Sequence, residues 1–206
     1  LDWCEKERLE CFDTNTLGAD NVGRACQELG IYLVHLSSGC VQESKLESDV
    51  HSEDEDVHPV SWYSWTKVFA EKLLLDRMNY FGLKVLILRP RQLLSAMVSP
   101  RNAITKLLTY DKFIDTPNSC TIVEDLMIAT DKLIELGVNG IVNVVNPGVT
   151  TPLKIAQILK EEIKPDWSFK KISKDELNAM TYAKRVDCVL SGAKLESFGI
   201  KLEPID

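Results

Sequence analysis

Apolar positions along the chain fall into two alternating rhythms. Ala19, Val22, Cys26 and Leu29 recur at helical spacing from about Thr16, and Gly30 stands where a helix stops. Ile31 to Leu36 is apolar with little alternation, the pattern of a strand buried on both faces. A polar loop then runs through an acidic stretch to Pro59. A second helix follows to about Phe81, with Trp62, Phe69, Leu73 and Leu74 as its apolar positions and Gly82 as its end. Leu83 to Leu88 is another apolar strand, closed by Arg89-Pro90.

The rhythm continues to the C-terminal third. Ser119 to Ile122 reads as a short strand leading into a helix, Val123 to Leu136, stopped at Gly137. Gly140 to Val145 is a strand closed by Asn146-Pro147-Gly148. Thr151 suits a helix cap and Pro152 a first turn, and that helix runs to about Ile163. The last forty residues are polar and mixed, with a short helix from Ser191 to Phe198. Strand, helix, strand in this order predicts right-handed crossovers and an α/β doubly wound parallel sheet. Ligands of such sheets sit at the carboxyl ends of the strands, where Ser38 and the Arg89-Pro90 corner fall.

Composition narrows the class. The chain has 206 residues, enough for one moderate domain, and a net charge of −7 with no basic stripe, which argues against nucleic acid as a partner. The acidic run Ser52 to Asp56 reads as a solvated loop rather than a metal site, and no metal is expected. Six scattered cysteines (Cys4, Cys11, Cys26, Cys40, Cys120, Cys188) form no Cys-x-x-Cys pair, which suggests reduced thiols in the cytoplasm. No apolar run approaches membrane-spanning length and no charged-then-apolar leader opens the chain, so a soluble protein is expected.

The chemistry concentrates around Tyr63 and Lys67. Four positions apart in a helix, they share one face. A phenol titrates near ~10 and is alone a poor proton donor or base at neutral pH. A cation about one turn away favours the phenolate and moves that value toward the working range. Ser38, at the end of the preceding strand, is placed to hydrogen-bond a substrate oxygen. Together the three make a device for moving a proton on or off a carbonyl or carbinol oxygen. The alternative is a helix whose tyrosine merely packs.

Ser37-Ser38, Tyr63-x-x-x-Lys67 and Leu88-Arg89-Pro90 together resemble the extended short-chain dehydrogenase/reductases, whose sheet is Rossmann-like. Asp2 to Glu5, Ser38 to Val41, Ser99 to Lys106, Pro117 to Thr121 and Val142 to Val149 narrow the match. They resemble the nucleotide-sugar 3,5-epimerase/4-reductases, close relatives of dTDP-4-dehydrorhamnose reductase. The resemblance implies reduction of a nucleotide-linked 4-keto-6-deoxy sugar by NADPH (or NADH), with epimerisation at C3 and C5. Tyr63 is then the proton donor to the C4 oxygen, Ser38 polarises the keto group, and Lys67 holds the nicotinamide ribose and lowers the tyrosine pKa. Tyr63, Lys67 and Pro90 stand on the cofactor side. Cys40 and Lys106 fall where these enzymes keep an acid/base pair, against the plainer readings of a small buried residue and a solvated lysine. Arg91, Arg101 and Arg185 are candidates to grip the substrate pyrophosphate, with Asn102 a further one.

The same resemblance sets the expected organisation. Residues 1–97 form the C-terminal part of a dinucleotide-binding domain with the catalytic set. Residues 98–206 are mainly substrate-binding, with 119–146 returning a strand and helix to the sheet. It allows a homodimer through helices like that of Tyr63. It leaves open another sugar-nucleotide 4-reductase or 4-epimerase, and a non-catalytic regulatory or binding subunit. Pro90-Arg91-Gln92-Leu93 stands where the family reads Val-Arg-Met-Pro, and Thr150-Thr151-Pro152 where it reads Ser-His-Asn. None of the ten glycines forms a Gly-x-x-Gly-x-x-Gly turn, which the family keeps roughly eighty residues before the position of Leu1. The chain is therefore expected to hold the catalytic and sugar-binding portion without the main cofactor grip, and to bind NADPH poorly by itself.

Overall fold

The computed structural model describes residues 1–46, 48–100 and 102–205. Two short helices, α1 (Asp2–Lys6) and α2 (Arg8–Phe12), open the chain and are broken at Glu7, whose φ of −108° and ψ of 61° leave the helical region. A π-type turn (Asp13–Leu17) leads into α3 (Gly18–Leu29). Gly30 ends α3 in the left-handed conformation, with φ 66°, which costs glycine little. β1 (Leu33–Leu36) and β2 (Val50–His51) precede α4 (Trp62–Phe81), whose cap is Ser61, its side chain accepting the Ser64 N–H. Then come β3 (Val85–Pro90), β4 (Leu93–Leu94), α5 (Ala103–Leu107), β5 (Lys112–Phe113), β6 (Thr121–Ile122) and α6 (Val123–Glu135). β7 (Gly140–Val144), α7 (Pro152–Glu162), β8 (Lys170–Lys171), α8 (Lys174–Ala179), β9 (Val189–Leu190) and α9 (Ala193–Ser197) complete the order.

β1, β3 and β7 form one parallel sheet with β3 in the middle, Leu33 opposite Val85 and Leu88 opposite Val142. The two-residue period of β3 sends its side chains to opposite faces. Leu86 and Leu88 pack with Val142 and Val144 against Leu126, Ala129 and Leu133 of α6 and Leu195 of α9. Val85 and Ile87 turn the other way, onto Leu74 of α4 and Cys26 of α3. Helices thus cover both faces, the doubly wound arrangement predicted from the rhythm of the sequence. Each such Leu, Ile or Val contributes about 1.5–3 kcal/mol by leaving water. Helices α3 and α4 meet at Gly23, where an added Cβ would lie 2.5 Å from Leu74 Cδ2.

Several sequence expectations need correction. β1 is an edge strand of this sheet, half-buried, with Leu36 48% exposed; complete burial on both faces belongs to β3. An apolar run does not reveal whether a strand is central or at an edge. Only Thr121 and Ile122 of the 119–122 stretch are strand, and they pair with β4 outside the main sheet. The acidic loop is not wholly solvated: Glu53 is buried and accepts the Asn143 N–H at 2.7 Å, while Glu55 meets His51 Nδ1 at 2.9 Å. Helix α8 was missed, although Ser173 and Glu176 form a reciprocal capping box there, because no apolar stripe follows it.

Around this frame, β5, β8 and α7 enclose a smaller core in which Phe113, Trp167 and Phe169 meet edge to face. All six cysteines are free thiols. Among the described residues no helix is long and apolar enough to cross a membrane, and no group of three or more His, Cys, Asp or Glu is placed to hold a metal ion.

Candidate active site

The carboxyl ends of β1 and β3 open into a cleft of about 540 Å³, within the range of small-molecule sites. Ser38, Cys40, Tyr63, Lys67, Pro90, Arg91 and Lys106 all line it. Three separate segments deliver these side chains: the turn after β1, the first two turns of α4, and the corner after β3. Lys106 comes from α5 across the cleft. A second cavity of about 250 Å³ adjoins the first, and Cys40, Arg91 and Gln92 line both. Arg185, Phe113 and Tyr110 belong to this second lobe.

Ser38 caps a single 3-10 turn (Gly39–Val41), its Oγ accepting the Cys40 N–H at 3.2 Å. Ser38 and Tyr63 line the same cleft, with the serine close enough to act on the phenol's ionisation. Burial pushes the Tyr63 phenol up to about 12, with Cys40 adding to that rise and Ser38 opposing it. This reverses the expectation that Lys67 would bring the phenol toward neutrality. Lys67 Nζ lies 5.9 Å from the Tyr63 ring centroid and donates to the Leu36 carbonyl at 3.1 Å. Burial also moves the Lys67 ammonium below its ordinary value, with the Glu71 carboxylate opposing that shift. The Tyr63 phenol is therefore protonated at neutral pH.

The arginine and asparagine candidates are engaged internally. Arg91 is buried, and its Nη1 donates to Cys40 Sγ at 3.0 Å while Nη2 donates to Asn118 Oδ1 at 2.6 Å and to the Val186 carbonyl. Asn102 caps α5, Oδ1 accepting the Ile104 N–H at 3.1 Å, and its amide donates to the Ser95 and Met97 carbonyls at 2.7 Å each. Arg185 Nη2 pairs with Asp2 Oδ2 at 2.7 Å, and Asp2 Oδ1 accepts the Ala183 N–H at 2.8 Å. Arg101 lies outside the described residues. Lys106 is exposed along the cleft wall.

Sequence reasoning missed the charged layer beneath the cleft. Glu71 on α4 binds Arg89 of β3 through both carboxylate oxygens and accepts Ser37 Oγ at 2.5 Å. Two signals were present: Glu71 is four residues after Lys67 on the same helix face, and an arginine ending a fully buried strand must have a partner. His35 also lies near, its Nε2 buried without a partner among the described residues. Burial and then the Lys67 ammonium drive His35 down to about 4, while Glu71 opposes.

The sequence pattern of the NAD dependent epimerase/dehydratase family matches residues 1–125. A bifunctional dTDP-4-dehydrorhamnose 3,5-epimerase/dTDP-4-dehydrorhamnose reductase of Arabidopsis thaliana is 32% identical over 203 residues, covering 96% of this chain and 66% of that protein. The L780 UDP-rhamnose synthase of Acanthamoeba polyphaga mimivirus has a crystal structure that matches with a TM-score of 0.83 at 26% identity, over 93% of this chain and 67% of that one. The dTDP-4-dehydrorhamnose reductase of Bacillus anthracis, solved in complex with NADP, gives a TM-score of 0.84 at 22% identity, over 99% and 72%, a likeness of fold. The chain spans just under two thirds of the length of the curated plant relative. With the family pattern running through more than half of its length, the chain belongs to the NAD dependent epimerase/dehydratase family.

Proposed function

We propose that this chain carries the catalytic portion of an enzyme that reduces a nucleotide-linked 4-keto-6-deoxy sugar and epimerises it at C3 and C5. One observation carries the reading: Ser38, Cys40, Tyr63, Lys67 and Lys106 line a single cleft. Its similarity to the plant epimerase/reductase and the viral UDP-rhamnose synthase supports the substrate class.

Cys40 removes the proton α to the ketone, its sulfur gaining the hydrogen as the C–H electron pair moves toward the carbonyl. Lys106, on the cleft wall, returns a proton from the opposite face. Ser38 and Tyr63 hold the C4 oxygen between two hydroxyls, and Tyr63 passes its proton to that oxygen as reduction completes. Lys67 keeps the local charge positive while tyrosinate forms.

The wall formed by Leu36, Lys67 and Pro90 combines apolar surface with an ammonium, which suits a nicotinamide ring and its ribose hydroxyls. Tyr63, Lys67 and Pro90 are assigned to the nicotinamide end of NADPH (or NADH), which supplies hydride to C4 when bound. Residues 1–97 with 119–146 form the cofactor-side part, and the rest of 98–206 the substrate side. A cytoplasmic setting suits six free thiols. A homodimer through the outer face of α4, where Trp65 is 42% exposed and stacked on Phe69, completes the reading.

The test is deuterium incorporation from D2O into UDP- or dTDP-4-keto-6-deoxyglucose, using the full natural polypeptide. Exchange at C3 and C5 without NADPH, lost in both Cys40→Ser and Lys106→Met, together with reduction on adding NADPH, is the expected result. Reduction without exchange leaves a plain 4-reductase; neither activity removes the catalytic assignment.

A further inference from the structure

We infer that Arg91 is the positioning residue for Cys40: its buried guanidinium holds the sulfur as the anion that abstracts a proton beside the substrate ketone. The inference rests on the reading of Cys40 as an acid/base group, and it replaces a phosphate-gripping role for Arg91.

The argument begins with charge. A guanidinium keeps its proton in a protein, so a buried one requires negative charge close by. Arg91 is 9% exposed, and its Nε has no partner among the described residues. Of the groups its terminal nitrogens touch, Asn118 Oδ1 and the Val186 carbonyl are neutral. The nearby carboxylate, Asp187, is reached only through Asn118, whose Nδ2 donates to Asp187 Oδ1 at 3.0 Å. Asp187 also accepts Thr116 Oγ1 at 2.9 Å and pairs with Lys174 Nζ at 2.8 Å, a lysine it shares with Glu43 at 3.7 Å, so it acts on Arg91 at a distance and not by contact. Cys40 Sγ, 3.0 Å from Nη1, is then the ionisable atom in direct contact with the guanidinium. A charge-assisted hydrogen bond of this kind favours the thiolate, the form that acts as base.

Packing fixes the pair. A Cβ on Gly39 would lie 3.4 Å from both Cβ and Cδ of Arg91, so the backbone preceding Cys40 rests on the arginine stem. The Arg91 N–H donates to Thr121 Oγ1 at 3.0 Å, which anchors the other end. The guanidinium is held against the sulfur rather than free to swing into the cleft. Cys40, 8% exposed, lies on the wall of both cavities. The other titratable groups facing the pair are Tyr63 from α4, Cys120 beside β6, Cys188 and Asp187 beside β9, and Lys106 across the cleft.

The test is alkylation of Cys40 by iodoacetamide between pH 5.5 and 9.5, followed by peptide mass spectrometry, without substrate or cofactor. In Arg91→Met the rate at pH 7 is expected to fall about tenfold or more, with the pH profile displaced upward and the alkaline plateau retained. Arg91→Lys, which keeps the charge without the fork, is expected to lie between. Half-buried Cys26 on α3 serves as the internal reference for folding. A Cys40 profile in Arg91→Met and Arg91→Lys that superposes on the wild type overturns the inference, as does a change confined to the plateau, which reports access alone. Deuterium exchange separates the two claims. A displaced alkylation profile in a protein that exchanges nothing keeps the pairing and removes the epimerase reading. Exchange with an unmoved profile does the reverse.

Discussion

Glu71 and Arg89, eighteen positions apart, form a bidentate ion pair inside the protein, with Nε to Oε1 at 2.9 Å and Nη2 to Oε2 at 2.6 Å. Neither side chain is more than 4% exposed. Ser37 shares the same carboxylate. The pair therefore ties together three segments that each carry part of the cleft: the turn bearing Ser38 and Cys40, the helix bearing Tyr63 and Lys67, and the corner bearing Pro90 and Arg91. Two buried charges need not add net stability, but each depends on the other.

Removing one partner should consequently cost more than removing both. Glu71→Ala is expected to destabilise the protein by about 3–5 kcal/mol, because Arg89 is left charged and dry. Glu71→Leu combined with Arg89→Met should recover much of that loss. Urea denaturation of the three proteins checks this, and equal costs for the single and double variants would contradict it.

His35 gives stability a slope with pH. Its folded value is about 4 against an ordinary 6.5, with burial the first cause. The folded state thus keeps the imidazole neutral where the unfolded chain binds a proton. The associated stability is complete above pH 6.5 and is lost as pH falls from there toward 4. The full term is about 3 kcal/mol. His35→Phe should show a correspondingly shallower loss between pH 7.5 and 4.5 in chemical denaturation. Identical losses in the two proteins would exclude the group.

Tyr63 should ionise late. With its phenol held up at about 12, it stays protonated at neutral pH, which suits the proposed donor role. The tyrosinate absorbance difference between wild type and Tyr63→Phe is expected to remain flat through pH 10.5 and to rise only beyond it. A difference already rising near pH 8 would restore the lysine-activated phenolate.

Much of the fold was legible because its signals are local. Gly30, Gly82 and Gly137 each end a helix at positive φ, and Thr151 caps a helix start. The apolar runs of β3 and β7, alternating with helices, sufficed to predict a parallel sheet. The gathering of Ser38, Tyr63 and Lys67 was legible for the same reason, since a strand end and one helical turn fix it. What stayed hidden depends on distant partners. Nothing near Arg91 in sequence says that Asn118 and Cys40 will claim its nitrogens. Nothing near Tyr63 says that burial will outweigh the neighbouring lysine. Edge and centre are likewise relations between strands, which is why the apolar run of β1 predicts a burial on both faces that it does not have.

The clasp of Asp2 on Ala183 and Arg185 joins positions 181 and 183 residues apart. The strand pairs of the main sheet close far shorter loops, as Leu33 with Val85 does. By loop entropy the clasp costs about 1 kcal/mol more to form than that pairing. The clasp therefore fastens the segment after α8 to α1, and Arg185, which lines the outer lobe of the cleft, owes its position to the first helix described.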